Sequence, residues 1–93
     1  MHATIRAYTD NPALADALAA RQNDVKQVLT GIDGFSAYYL VKTSDGAVSV
    51  SVFETAAGAE ESTRAAAAWI SENLPDLGGS APEVFSGEVV IQA

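Results

Sequence analysis

Along the chain, apolar and polar positions alternate with a period of two in some stretches and recur every three or four in others, the spacings of half-buried strands and amphipathic helices. Residues 2–8 alternate, with Ala3, Ile5 and Ala7 on one side and Thr4, Arg6 and Tyr8 on the other. Asn11 then offers an N-cap and Pro12 a first helical position that needs no N–H donor. A helix is predicted over 12–30, with a stripe of Leu14, Leu18, Val25, Val28, Leu29 and Ile32 and a left-handed glycine, Gly31, at its end. Residues 34–54 are two β-rich runs joined at Asp45-Gly46, a pair suited to the positive φ angles of a type I′ hairpin turn. Thr55 can cap a second helix that stops before Pro75 and turns Ala59, Thr63, Ala66, Trp69 and Ile70 inward. Leu74 to Pro82, which contains Gly78-Gly79-Ser80, reads as a loop. Residues 83–92 read as a last strand, with Phe85, Gly87, Val89 and Ile91 facing one way.

The order β-α-β-β-α-β predicts an α+β ferredoxin-like sandwich: a four-stranded antiparallel sheet with two helices on one face, forming a single domain over 1–93. Right-handed crossovers put the first and third strands in the centre. With a two-residue loop in the hairpin, Val41 opposes Val50, Tyr39 opposes Val52 and Ala37 opposes Glu54. One face then carries Phe35, Ala37, Tyr39 and Val41 beside Val48, Val50 and Val52, and is expected to be the face the helices cover. The other carries Ser36, Tyr38, Leu40 and Lys42 beside Ser49, Ser51 and Phe53, too polar for a core and too aromatic for a plain solvated surface. A homodimer is therefore expected, with Tyr38, Leu40 and Phe53 at its seam.

Composition narrows the partners. A net charge of -7, from twelve acidic and five basic residues, repels nucleic-acid phosphates and anionic lipid headgroups. Cysteine is absent, which removes disulfides, thiol nucleophiles and thiolate metal sites and fits a reducing compartment. The first residues, Met-His-Ala-Thr-Ile-Arg, lack a basic region followed by an apolar run, and no stretch approaches a membrane span. The expectation is a soluble cytoplasmic protein with no nucleic-acid or membrane partner.

The lead from the first helix into Gly34-Phe35, the Tyr38-Tyr39-Leu40 run, and the exit of the third strand through Val52-Phe53-Glu54-Thr55 into Ala56-Ala57-Gly58-Ala59-Glu60 resemble the dimeric α+β barrel proteins. The resemblance is to the antibiotic biosynthesis monooxygenase-like group in particular. It implies two sheets paired face to face and, in some members, oxidation of aromatic substrates without metal or flavin. Other members bind or degrade haem with an Asn, a Trp and a His. Trp69 is present here, but no His follows residue 2, so the haem ligand has no counterpart.

Four residues stand out as ligand-binding candidates: Arg21, Trp69, Tyr39 and Glu54. Arg21 lies about 20 degrees from Leu14 on a helical wheel, within the apolar stripe, and needs a carboxylate such as Glu54, an anionic ligand or a route to solvent. Trp69 is either a core anchor or a platform for a ring. Tyr39 is expected to be buried with its hydroxyl at the edge, and Glu54 to stand at the rim of a helix–sheet cleft. His2, the only imidazole, is a general-base candidate at the chain start. Asp16, Asp24, Glu60, Glu61 and Glu72 fall on solvated helix faces without metal-ligand spacing, so no metal or cofactor is expected. No catalytic residue can be assigned. Two functions remain: a domain that binds a small apolar or aromatic molecule in a helix–sheet cleft, or a cofactor-independent monooxygenase whose phenolic substrate deprotonates and itself supplies the electron to oxygen.

Overall fold

The computed structural model describes residues 1–77 and 81–93; the expected Gly78-Gly79-Ser80 turn lies outside the described residues. Strand β1 (His2–Tyr8) leads into helices α1 (Leu14–Ala20) and α2 (Gln22–Thr30). The hairpin of β2 (Phe35–Lys42) and β3 (Ala47–Phe53) follows, then helix α3 (Ala56–Asn73), one 3-10 turn at Pro75–Leu77, and β4 (Glu83–Glu88). The four strands form one antiparallel sheet ordered β2-β3-β1-β4, with the helices on one face. This is the expected ferredoxin-like sandwich, with β1 and β3 in the centre.

The first helix is broken where one helix was expected. Arg21, at φ -118° and ψ 31°, ends α1 and begins α2. Between Leu18 and Val25 the chain has no large apolar side chain to hold a continuous helix on the sheet, so the polar run Arg21-Gln22-Asn23-Asp24 turns instead. Asn11 does not cap α1: its side-chain amide donates to the Leu77 carbonyl at 2.7 Å, tying the approach to α1 to the 3-10 turn that follows α3. Gly31 has an ordinary φ of -75°, and the left-handed glycine is Gly34 at φ 83°. Thr55 does cap α3, its hydroxyl accepting from the Gly58 N–H at 3.2 Å.

The hairpin keeps its expected parity but not its turn. Val41 pairs with Val48 and Tyr39 with Val50, two residues from the expected register, and the Thr43 N–H donates to the Gly46 carbonyl at 3.1 Å. Neither Asp45 nor Gly46 has positive φ. Gly46 is required for a different reason: a β-carbon there would lie 1.9 Å from the Tyr8 carbonyl oxygen, so only glycine lets the turn pack on the end of β1.

The largest correction concerns the faces of the sheet. The helices cover Thr4, Arg6, Ser49, Ser51 and Phe53, all buried, together with Tyr38 and Leu40. Tyr38, Leu40 and Phe53 therefore do not form a seam with another molecule; Phe53 is 0% exposed within the single chain. The bare face carries Ala3, Ile5, Ala7, Ala37, Tyr39, Val41, Val48, Val50 and Val52, with Phe85 beside Ile5. Phe35 leaves that set. A bulge between Phe35 and Ala37 pairs Phe35 with Phe53 instead, and the rings meet edge-to-face at 5.7 Å.

Strand β4 is shorter than expected. It pairs with β1 as far as His2 and Glu88, and the Val89 N–H donates to the Met1 carbonyl just beyond. Val90 and Ile91 are 86% exposed.

Candidate functional site

The helix-covered face holds one cation that the alternating pattern of β1 had placed outside. Arg6 is 2% exposed, opposite Ser49 of β3 and beneath α3. Its partners are hydroxyls: Nη2 donates to Ser51 Oγ at 3.1 Å, and Nη1 to Thr63 Oγ1 at 3.3 Å and Ser62 Oγ at 3.5 Å. The Ser62 hydroxyl spends its own proton on the Ala59 carbonyl at 2.6 Å, leaving its lone pairs for the guanidinium. Among the described residues no carboxylate pairs with Arg6. Its Nε and the Ser49 Oγ are buried without a partner among the described residues. An arginine cannot shed its charge on burial, and contacts of this length to neutral oxygens fall short of the roughly 2.7–2.9 Å of a charge-assisted pair.

Two spaces adjoin this guanidinium. On one side a void of about 20 Å³ is lined by Arg6, Tyr8, Tyr38, Ser49 and Trp69, with α2 closing it. That is the room of about one water molecule, so the body of an aromatic compound does not fit. The other space is a cleft of about 520 Å³, bounded among the described residues by Arg6, Tyr8, Thr63, Ile70, Pro75, Pro82 and Val84. Its size is that of a small-molecule site, with apolar walls and few polar groups.

The four expected ligand-binding residues do not converge. Arg21 and Trp69 do meet, with the guanidinium carbon 5.1 Å from the ring centroid. Arg21 also donates to Asp24 at 3.2 Å and Asn73 at 3.3 Å, and its side chain is 41% exposed, so its partner is not Glu54. Glu54 is exposed at the end of β3, and its backbone N–H donates to the Gly34 carbonyl. Tyr39 is not buried as expected; it is 64% exposed on the bare face. His2 lies within β1, half-buried and flanked by Phe53 and Glu88. Among the described residues no group of three His, Asp or Glu side chains is placed to hold a metal ion. Among the described residues no helix is long and apolar enough to cross a membrane.

No protein-family model matches the chain, and no curated protein matches it significantly. Solved structures do. A protein of unknown function from Nitrosomonas europaea aligns over 99% of this chain and 90% of its own at 21% identity, TM-score 0.69. Rv0793 from Mycobacterium tuberculosis aligns over 99% and 97% at 16% identity, TM-score 0.64. A monooxygenase from the gene ActVA-Orf6 of Streptomyces coelicolor, in complex with the ligand nanaomycin D, aligns over 98% and 91% at 18% identity, TM-score 0.61. The chain shares the fold of these three proteins. Within this fold Arg6, Tyr8 and Ile70 are the residues that line both the void and the cleft.

Tyr38 adds a titratable probe of the void. Burial raises its hydroxyl above the ordinary 10.0; Arg6 pulls it back, and Tyr8 pushes it further up. The folded chain therefore holds this proton at pH values where the unfolded chain has released it. The resulting stability is fully present below about pH 10 and is lost as pH rises through the folded-state value. Urea denaturation from neutral to strongly alkaline pH should show a fall that Tyr38→Phe makes shallower. Identical slopes in the two proteins would show that Tyr38 does not titrate abnormally.

Proposed function

We propose that the protein is a homodimeric domain that binds a small apolar or aromatic molecule in the cleft between α3 and the β1–β4 edge. The observation that carries this reading is Arg6, a buried guanidinium with hydroxyl partners only, beside a cleft large enough for a ligand. The dimer is drawn from the bare sheet face. Its alanines, valines, Ile5, Tyr39 and Phe85 form an apolar surface with Glu83 at its β4 edge, in a chain whose net charge is -7. Acidic copies approach each other readily only where charge is missing, and a flat valine-rich sheet fits a second copy of itself.

Ala67 is exposed and lines the cleft, which makes it a place to fill the site without touching the core. Amide chemical shifts of Tyr8, Thr63 and Val84 are expected to move on titration with a panel of small aromatic compounds. Ala67→Trp should weaken that binding by at least about tenfold, or about 1.4 kcal/mol. A panel that moves none of these resonances overturns the reading.

A second reading, a cofactor-independent monooxygenase acting on a phenolic substrate, is supported by the fold shared with the Streptomyces coelicolor monooxygenase. It ranks second because, among the described residues, no His, Asp or Glu that could take a phenol's proton lines the cleft. Oxygen consumption with a panel of hydroquinones tests it directly.

A further inference from the structure

We infer that Arg6 is a receptor for the carboxylate of a small carboxylic acid whose body lies in the cleft beside β4. This rests on the cleft being the ligand site, as proposed above, and adds the chemical class of what it takes.

Arg6 uses three of the five N–H donors of a guanidinium, all on hydroxyl oxygens at 3.1–3.5 Å. Among the described residues its Nε–H has no partner, and neither does the hydroxyl of Ser49, the residue opposite it in the sheet. Two unmet donors on neighbouring strands, one of them charged, suit a two-oxygen anion better than a single neutral acceptor. Hydroxyl dipoles lower the cost of burying the charge, but they do not neutralise it, and the side chain cannot ionise its way out.

The anion must bring its charge with it. Tyr38, which lines the same void, has its hydroxyl held above the ordinary 10.0 by burial, which the Arg6 charge only partly offsets. A carboxylic acid, ionised near pH 4, arrives as an anion at neutral pH, whereas a phenol, near pH 10, does not. Size divides the ligand between the two spaces. The void of about 20 Å³ can take no more than the oxygen end, and the cleft of about 520 Å³ has room for a ring or a short chain. Arg6 and Tyr8 line both, so one molecule can place its head on the guanidinium and its body against Ile70, Pro82 and Val84. The chain's negative charge does not forbid this, since exposed carboxylates are screened beyond about 10 Å at ordinary ionic strength.

The test compares benzoate with its neutral isostere benzamide, and with phenol, on the wild-type protein and on Arg6→Met. In the wild type benzoate should bind at least tenfold more tightly than benzamide or phenol. Its titration should also shift the Arg6 Nε–H resonance in the nitrogen-15 spectrum, a readout that needs no variant to fold. Arg6→Met should abolish the preference for benzoate, so that benzoate and benzamide bind the variant with equal affinity. Equal affinity for benzoate and benzamide in the wild type, with Nε–H unmoved, overturns the carboxylate inference and leaves a small-molecule site standing. A wild-type protein that binds none of the three overturns both.

Discussion

Phe53→Asp is expected to leave the chain unfolded at room temperature. Phe53 is 0% exposed, wedged edge-to-face on Phe35 under the start of α3. Emptying such an aromatic site costs roughly 3–5 kcal/mol, and placing an uncompensated carboxylate in it adds several more. Small domains have about 5–15 kcal/mol in all, so the sum consumes most or all of the stability. Phe53→Ala, without the charge, should fold with a urea midpoint lowered by the equivalent of roughly 3–5 kcal/mol. A Phe53→Asp protein with a native far-ultraviolet spectrum and cooperative unfolding would show that the ring does not lie beneath the helices.

Val50→Asp should do the opposite: keep the fold and lose the dimer. Val50 is in the central strand β3, paired with Ile5 on one side and Tyr39 on the other, and it points away from the helices. A carboxylate there is solvated in the monomer. In a face-to-face dimer two of them are pressed into one apolar layer, which should weaken association at least about a hundredfold, or about 2.7 kcal/mol. Sedimentation at micromolar concentration should give a dimer for the wild type and a monomer for Val50→Asp, with similar far-ultraviolet spectra. A wild-type monomer ends the dimer proposal. A Val50→Asp dimer would move the interface off the sheet.

These two substitutions separate what a period of two can reveal from what it cannot. Alternation showed that Val48, Val50 and Val52 share one face and Ser49, Ser51 and Phe53 the other, and the structure keeps that division. It did not reveal which face meets the helices. The rule that valine goes inside and serine outside selects the wrong one here, because the sheet has two apolar demands. Beneath the helices, small serines leave space for Arg6, Tyr38 and Phe53 and supply a hydroxyl to the guanidinium. On the bare face the valines remain available to a partner. The unusual content of the serine face, a Tyr, a Leu and a Phe among serines, was the available signal, and it fits a core built around a polar centre.

Arg6 was missed for the same reason. On β1 it shares a side with Thr4 and Tyr8, so one inverted assignment carried all three outward. Arg21 attracted the attention instead because a helical wheel put it among leucines, yet the break at its own position frees it to reach Asp24, Asn73 and the Trp69 ring. A wheel assumes a continuous helix, and the lack of a large apolar side chain between Leu18 and Val25 was the local sign that this one stops.

The sequence by itself determined the order of the elements, the antiparallel sheet with β1 and β3 in its centre, the Thr55 cap and the parity of the hairpin. Each follows from local spacing, capping chemistry or the handedness of crossovers. Only the tertiary structure decided which face of the sheet is buried, that a cation lies under α3 among hydroxyls, and that the cleft opens along β4 rather than beside Arg21. Those outcomes depend on how side chains of strands and helices distant in sequence pack against one another, a balance invisible to any window along the chain.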